Sequence, residues 1–382
     1  MKKILILTSI GGGGHISTSS ALFSYLSKDF EIQTINLFKD LLSPLDLFHK
    51  LTFGRFHGED IYNYFISKKK VWILTLFYKL GIWNIALQKR KIKKIVLDYI
   101  KQNNYDLIIS VIPFANHIIL EAAQELNIPF LLIPTDLDLR TYLIGISQPQ
   151  YEKFYLAIPF YDKRIYAQID DAKIPHHHIH IIGALLRNDF YLMKNTHHLK
   201  NELNLPKDKH IVMILMGAQG SCEMVKFIQA LSAITVPIHI IACIGKYNSI
   251  KTKLNSIKLP PHISLSIITF TSHIADFMTT ADILITKSGS ISVFESIYMH
   301  TPMLLDATSM ILPWEEFNHH FIKQHNFGTS ISSYKHVAPL TESILKNKKV
   351  LSFYKTNLIQ FHKKNGKEEI IKLINTILIK NK

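Results

Sequence analysis

The chain has 382 residues, 47% of them hydrophobic, with 44 Lys+Arg against 29 Asp+Glu and a formal net charge of +15. That length exceeds one ordinary core and predicts two or three domains, and the basic balance favours anionic partners such as nucleic acid, acidic lipid headgroups or nucleotide substrates. The two cysteines, Cys222 and Cys243, exclude a disulfide framework and a cysteine metal cluster, and their apolar surroundings read as buried thiols.

Taken in chain order, residues 4–7 form a short apolar run and read as a buried strand. Gly11-Gly12-Gly13-Gly14-His15 follows it, and a small polar run at 17–20 opens a helix. Unpaired amides at such a helix start suit a polar or anionic ligand, and His15 is the titratable side chain placed among them. The chain enters its first strand with no signal peptide ahead of it, which predicts a cytosolic protein. Further strand-like runs occur at 32–37, 107–111, 130–133 and 180–182. A second series begins at 210–216 and continues through 238–244, 264–270, 283–286 and 303–305. Helix-length stretches separate most of them. Continuous apolar strands alternating with helices predict parallel sheets covered on both faces, and two series predict two doubly wound domains with the ligand in the cleft between them. The boundary is expected near 182–188, giving domains 1–182 and 183–382, with the final helix packing back on the first.

The segment 41–101 breaks this rhythm. It holds Phe53, Phe56, Tyr62, Tyr64, Phe65, Trp72, Phe77, Tyr78 and Trp83 beside two basic runs, Lys68-Lys69-Lys70 and Lys89-Arg90-Lys91 with Lys93-Lys94. Residues 71–87 are rich in Trp, Ile, Leu and Phe. They are interrupted by Lys79 and fall short of the roughly 20 apolar residues a spanning helix needs. Aromatics beside lysines suit a membrane interface, each cation near an anionic surface adding about 1 kcal/mol. An apolar helical stripe packed on its own domain is an equal alternative.

The second series carries sharper chemistry. Gly217 and Gly220 lie in a turn after a strand and before a helix. Thr286-Lys287-Ser288-Gly289-Ser290 repeats that arrangement as a phosphate cradle, and Glu295, about two turns into the next helix, is placed to accept two ribose hydroxyls. At even weight, Ser288 is an N-cap and Glu295 a solvated helix residue. Glu315, Glu316 and Asn318 stand at a loop–helix junction and suit sugar hydroxyls, or else form an acidic, capped helix start. Arg187 lies at the expected domain junction, as a diphosphate clamp or a surface arginine.

In this order the elements resemble the GT-B glycosyltransferases, and within them the monogalactosyldiacylglycerol synthase and processive diacylglycerol glucosyltransferase family. The peptidoglycan N-acetylglucosaminyltransferase that makes lipid II is the sister group. The matching residues are the Gly11–His15 turn, Thr135-Asp136, the stretch from Ile174-Pro175 through Gly183 to Arg187 and Phe190, Gly217 to Gly220, Phe270, Thr286 to Gly289, Glu295, and Glu315 through Asn318. They run over nearly the whole chain.

The resemblance implies two Rossmann-like domains facing across a cleft and transfer of a hexose from a UDP-sugar to diacylglycerol, by inversion, with no required metal and no cofactor beyond the donor. It implies that Glu295 holds the ribose, that Ser288, Gly289 and Ser290 with Arg187 hold the diphosphate, and that Phe270 faces the uracil. Glu315, Glu316 and Asn318 would touch the donor sugar. His15 and Asp136 become the candidate bases. Gly13, Gly14, Trp72 and Trp83 would lie on the acceptor and membrane side, with the protein held peripherally at the inner face of the cell membrane. Two departures bear on the donor: Ser290 and Ile291 stand where relatives carry a further Gly or Pro, and Trp314 stands where they carry a Gln. They leave the donor sugar's identity open and keep a UDP-sugar-binding homologue without turnover as an alternative; a GT-B enzyme acting on another lipid acceptor such as lipid I is a further one.

Three other readings carry less. Asp136-Leu137-Asp138 has a metal-binding spacing but sits in the acceptor half. The histidine clusters His176-His177-His178 with His180, and His319-His320, lack a ligand set at useful spacing. Nucleic acid is not expected as a partner, since the basic residues are spread widely and no nucleic-acid-binding signature occurs.

Overall fold

The computed structural model describes the whole chain except Gly12, residues 68–70, Met193, residues 218–219, residues 246–247 and residues 381–382. It divides into two compact units, Met1–Arg187 with Lys363–Lys382, and Asn188–His362.

The first unit is built on six parallel strands: β1 Lys3–Thr8, β2 Glu31–Asn36, β3 Leu107–Ser110, β4 Phe130–Leu132, β5 Phe154–Ile158 and β6 Ile179–Ile181. Their order across the sheet is β2-β1-β3-β4-β5-β6. β3, β4 and β5 are buried along their whole length, as strands covered on both faces must be. The strand order reverses between β1 and β3, so the loops leaving those strands and β4 open side by side. The helix Gly366–Lys380 groups with this unit and packs on the helix Gly14–Leu26, with Lys367 Nζ 5.9 Å from the centre of the Tyr25 ring.

The second unit repeats the plan with β7 His210–Leu215, β8 Ile238–Gly245, β9 Ile263–Thr269, β10 Ile283–Thr286, β11 Met303–Asp306 and β12 Gly328–Ile331. The order is β12-β11-β10-β7-β8-β9, all pairs parallel, with the reversal between β7 and β10. Thr286 Oγ1 donates to the Leu215 carbonyl at 2.6 Å and fastens the two strands where their loops diverge.

Two strands escape the sequence reading. β5 is a short run enclosed by turns, with the polar stretch Gln148-Pro149-Gln150 just ahead of it. β12, Gly-Thr-Ser-Ile, carries one large apolar residue; as an edge strand it has a partner on one side alone and needs little apolar surface. The backbone of β12 approaches β11 so closely that a Cβ on Gly328 would lie 1.8 Å from the Met303 carbonyl oxygen, at a φ of +151°. Gly328→Ala is therefore expected to cost at least about 3 kcal/mol, read as a lowered urea midpoint with unchanged slope.

Candidate functional site

At the first reversal, β1 runs into a glycine turn. Gly13 caps the helix Gly14–Leu26 in the left-handed region, φ +91°, where a side chain would be strained. Thr8 Oγ1 donates to the His15 carbonyl at 3.2 Å and lies 3.1 Å from Ser19 Oγ, fixing the helix start against the end of β1.

His15, half-buried, places its Nδ1 2.8 Å from the carbonyl oxygen of Val111, just past β3. A carbonyl can only accept, so Nδ1 carries the hydrogen and Nε2 carries the lone pair. Thr135 Oγ1, beyond β4, lies 3.0 Å from the same Nδ1 and 2.7 Å from the hydroxyl of Tyr142, which donates to Asp136 Oδ2 at 2.8 Å. Burial lowers the pKa of His15 against the opposing pull of the Asp136 charge, the Val111 hydrogen bond and the Glu59 charge. Burial and the Asp136 charge hold the Tyr142 phenol well above its ordinary range. The two candidate bases read from the sequence thus sit at opposite ends of one hydrogen-bonded chain. Asp138 is turned away into a bidentate grip on its neighbour Arg140.

A carboxylate that no sequence spacing marks holds the glycine turn from the other side. Glu59, on the helix Gly58–Ser67, accepts from Ser9 Oγ at 2.5 Å and the Ile10 amide at 2.9 Å through one oxygen, and from Asn36 Nδ2 at 2.8 Å through the other. Asn63 of the same helix donates to the Ile10 carbonyl at 3.0 Å.

The neighbouring helix Val71–Leu87 is mostly apolar around its circumference, interrupted by the exposed Lys79. Leu74 is buried, while Trp72, Leu76, Leu80, Trp83 and Leu87 form an exposed stripe three to four residues apart. Phe53 stands almost wholly exposed beyond the end of the helix Leu47–Leu51, with Phe56 close by. Among the described residues, no helix is long and apolar enough to cross a membrane. Of the basic runs, Lys68-Lys69-Lys70 lies outside the described residues. The second run is partly turned onto its own unit, Lys89 pairing with Glu121 at 2.6 Å and Lys93 with Glu125 at 3.2 Å.

At the second reversal, the loops after β7 and β10 lie side by side. The Gly220 amide donates to the Gly217 carbonyl at 2.9 Å, closing a turn with both glycines at positive φ. After β10, the helix Ser290–Tyr298 begins at Gly289, which as N-cap has no side chain to offer its first turn. Ser288 is not the N-cap; its hydroxyl donates to Glu315 Oε2 at 2.9 Å. Asn318 is fully buried, and its Nδ2 donates to the Ser288 carbonyl at 2.6 Å and to Ser290 Oγ at 3.0 Å. Glu315 and Asn318 therefore clasp the turn from the adjacent helix. Glu316 faces outward, 3.9 Å from His320. Glu295 is half-buried on the helix that the turn opens, and Phe270 is 64% exposed just past edge strand β9. Gly14 lies in the first turn of its helix, and Arg187 is the last residue of the first unit's main segment, half-buried. Among the described residues, no group of three His, Cys, Asp or Glu could hold a metal ion.

Residues 211–327 match the glycosyltransferase family 28 C-terminal domain, covering β7 through β11 and both turns of the second reversal. The chain is 22% identical to the processive diacylglycerol beta-glucosyltransferase of Bacillus licheniformis, over 97% of this chain and 94% of that protein. The solved structure of Acinetobacter baumannii MurG superposes with a TM-score of 0.63 at 13% identity, covering 98% of this chain and all of that one (100%). Arabidopsis thaliana UGT89C1 complexed with UDP gives a TM-score of 0.56 at 12% identity, over 99% of this chain and 100% of that one. The two parallel sheets have the GT-B fold of these neighbours.

The clasp on the second turn is testable by stability alone. Asn318→Ala leaves the Ser288 carbonyl and Ser290 hydroxyl without that donor, and is expected to lower unfolding free energy by about 1–3 kcal/mol in urea titration.

Proposed function

We propose that this glycosyltransferase moves a hexose from a UDP-sugar to diacylglycerol at the inner face of the cell membrane, inverting the anomeric centre, with His15 as the base. The observation that carries the reading is the fixed tautomer of His15: with Nδ1–H committed to the Val111 carbonyl, Nε2 is the basic atom. Diacylglycerol as acceptor is supported by the name of the Bacillus relative and by the exposed apolar stripe of the helix Val71–Leu87. The UDP donor is supported by the family 28 domain and by the UDP complex among the structural neighbours.

In this reading, Nε2 takes the proton of the acceptor hydroxyl as its oxygen attacks the anomeric carbon. The bond from that carbon to the diphosphate oxygen breaks, and UDP leaves with the electron pair. A single displacement inverts the centre. The leaving charge is met by the dipole and backbone amides at the start of the helix Ser290–Tyr298 and by the Arg187 guanidinium, without a metal ion. Glu295 takes the ribose hydroxyls, Phe270 faces the base, and Glu315 and Asn318 act on the donor through the turn they hold, with Glu316 beside them. Gly217 and Gly220 let backbone approach the nucleotide. Gly13 and Gly14 leave space for the acceptor headgroup. Trp72 and Trp83 enter the lipid interface, where rings sit at headgroup depth.

Purified protein is to be incubated with vesicles containing diacylglycerol and a panel of UDP-sugars, and the lipids resolved by mass. A hexosyl-diacylglycerol is expected with at least one donor. No glycolipid from any donor, together with no UDP affinity by calorimetry, overturns the proposal. His15→Ala is expected to lose about 10²–10⁴-fold in kcat and to keep its UDP affinity. The sign of the pH dependence follows from burial of His15. Its pKa lies below the ordinary 6.5, so the rate stays level as pH falls through 6.5 and declines only as the lowered pKa is crossed. Trp72→Ala combined with Trp83→Ala is expected to weaken co-sedimentation with anionic vesicles while leaving UDP binding unchanged.

A further inference from the structure

We propose that Thr135 and Tyr142 are positioning residues that connect the Asp136 charge to His15 through two hydroxyls. The proposal rests on the reading of His15 as the base, and it assigns Asp136 a different part: a fixed negative charge behind the imidazole.

Hydrogen directions along the chain follow from what each atom can do. The Asp136 carboxylate accepts, so the single hydrogen of Tyr142 points to its Oδ2 at 2.8 Å. The Tyr142 oxygen must then accept from Thr135 Oγ1, 2.7 Å away, since its own hydrogen is committed. Thr135 Oγ1, with its hydrogen spent on Tyr142, has a lone pair for the Nδ1–H of His15 at 3.0 Å, which it shares with the Val111 carbonyl at 2.8 Å. Every donor has an acceptor and the dipoles run head to tail toward Asp136. Tyr142 is fully buried and Thr135 nearly so, hence water screens the chain little. The raised phenol pKa keeps the Tyr142 hydrogen in place at any working pH.

The consequence is electrostatic. When Nε2 takes the acceptor proton, the ring becomes a cation whose Nδ1–H already points into dipoles ending on a carboxylate. No proton travels along the chain; Nδ1 keeps its hydrogen, and the charge gained at His15 is stabilised where it forms. Two carboxylates act on this ring, Asp136 from beyond β4 and Glu59 from the helix Gly58–Ser67, and only Asp136 reaches Nδ1 through hydroxyls.

The test uses the full chain without substrate first. The His15 ring nitrogens are followed by nitrogen-15 NMR across pH, assigned by the signals missing in His15→Ala. Thr135→Val, nearly the same shape without the hydroxyl, is expected to lower the His15 pKa below that of the unaltered chain, and Tyr142→Phe and Asp136→Asn to do the same. Thr135→Ser, which restores a hydroxyl, is expected to keep the original value. With diacylglycerol vesicles and the active donor, Tyr142→Phe is expected to lose about 10–100-fold in kcat with KM unchanged. The acid limb of its rate profile should move to lower pH. The double variant Tyr142→Phe with Asp136→Asn should lose no more than the worse single one, because both cut the same chain. An unmoved His15 pKa in Thr135→Val and Tyr142→Phe overturns the relay, as do fully additive losses in the double variant. A shifted pKa in a protein that transfers no sugar leaves the relay standing and removes the assigned chemistry. Transfer that needs His15 but ignores Thr135 and Tyr142 removes the relay alone.

Discussion

The Nδ1–H of His15 lies 2.8 Å from the carbonyl oxygen of Val111, and the chemistry of the first unit depends on that bond. It decides which ring nitrogen is basic, sets the plane of the ring, and turns Nδ1 toward Thr135. The bond exists because β1 and β3 are neighbours in a parallel sheet: the helix leaving β1 and the loop leaving β3 start from adjacent strand ends. A carbonyl that continues no strand hydrogen bond is then available to a side chain from the next loop.

The same rule organises both units. All strand pairs are parallel, so each connection returns the chain to the opposite end of the sheet, every strand finishes at one end and the loops that follow gather there. Where the strand order reverses, two neighbouring loops diverge and leave room above the sheet. In the first unit that place is occupied by the glycine turn with His15. In the second it is occupied by the Gly217–Gly220 turn and the start of the helix Ser290–Tyr298 at Gly289. Side chains from adjoining elements brace both turns: Glu59 and Asn63 on the first, Glu315 and Asn318 on the second.

Glu59 also links two features that are distant in the sequence. Its helix packs against the apolar helix Val71–Leu87, and its carboxylate binds Ser9 and Ile10 just past β1. The segment that exposes Trp72 and Trp83 is thereby tied to the backbone that presents His15. Part of the positive charge that the segment carries in sequence is spent internally, on Glu121 and Glu125, so its exposed character rests on aromatic and aliphatic side chains more than on that run.

Periodicity alone made the two series of buried strands legible, because a strand covered on both faces is a continuous apolar run. It equally marked the glycine turns, where small residues between a strand and a helix have few other uses. β12 was hidden because an edge strand needs little apolar surface, and the sequence left Ser288 open between cradle and cap because Glu315, which takes its hydroxyl, lies 27 residues on. The sequence by itself determined the fold class, the position of both turns and the presence of His15 in the first. Only the tertiary structure decided what His15 is: its tautomer is set by Val111, 96 residues away, and its link to Asp136 by Thr135 and Tyr142, more than a hundred residues on. Such hydrogen bonds leave no periodicity, since they join loop ends that only strand order brings together.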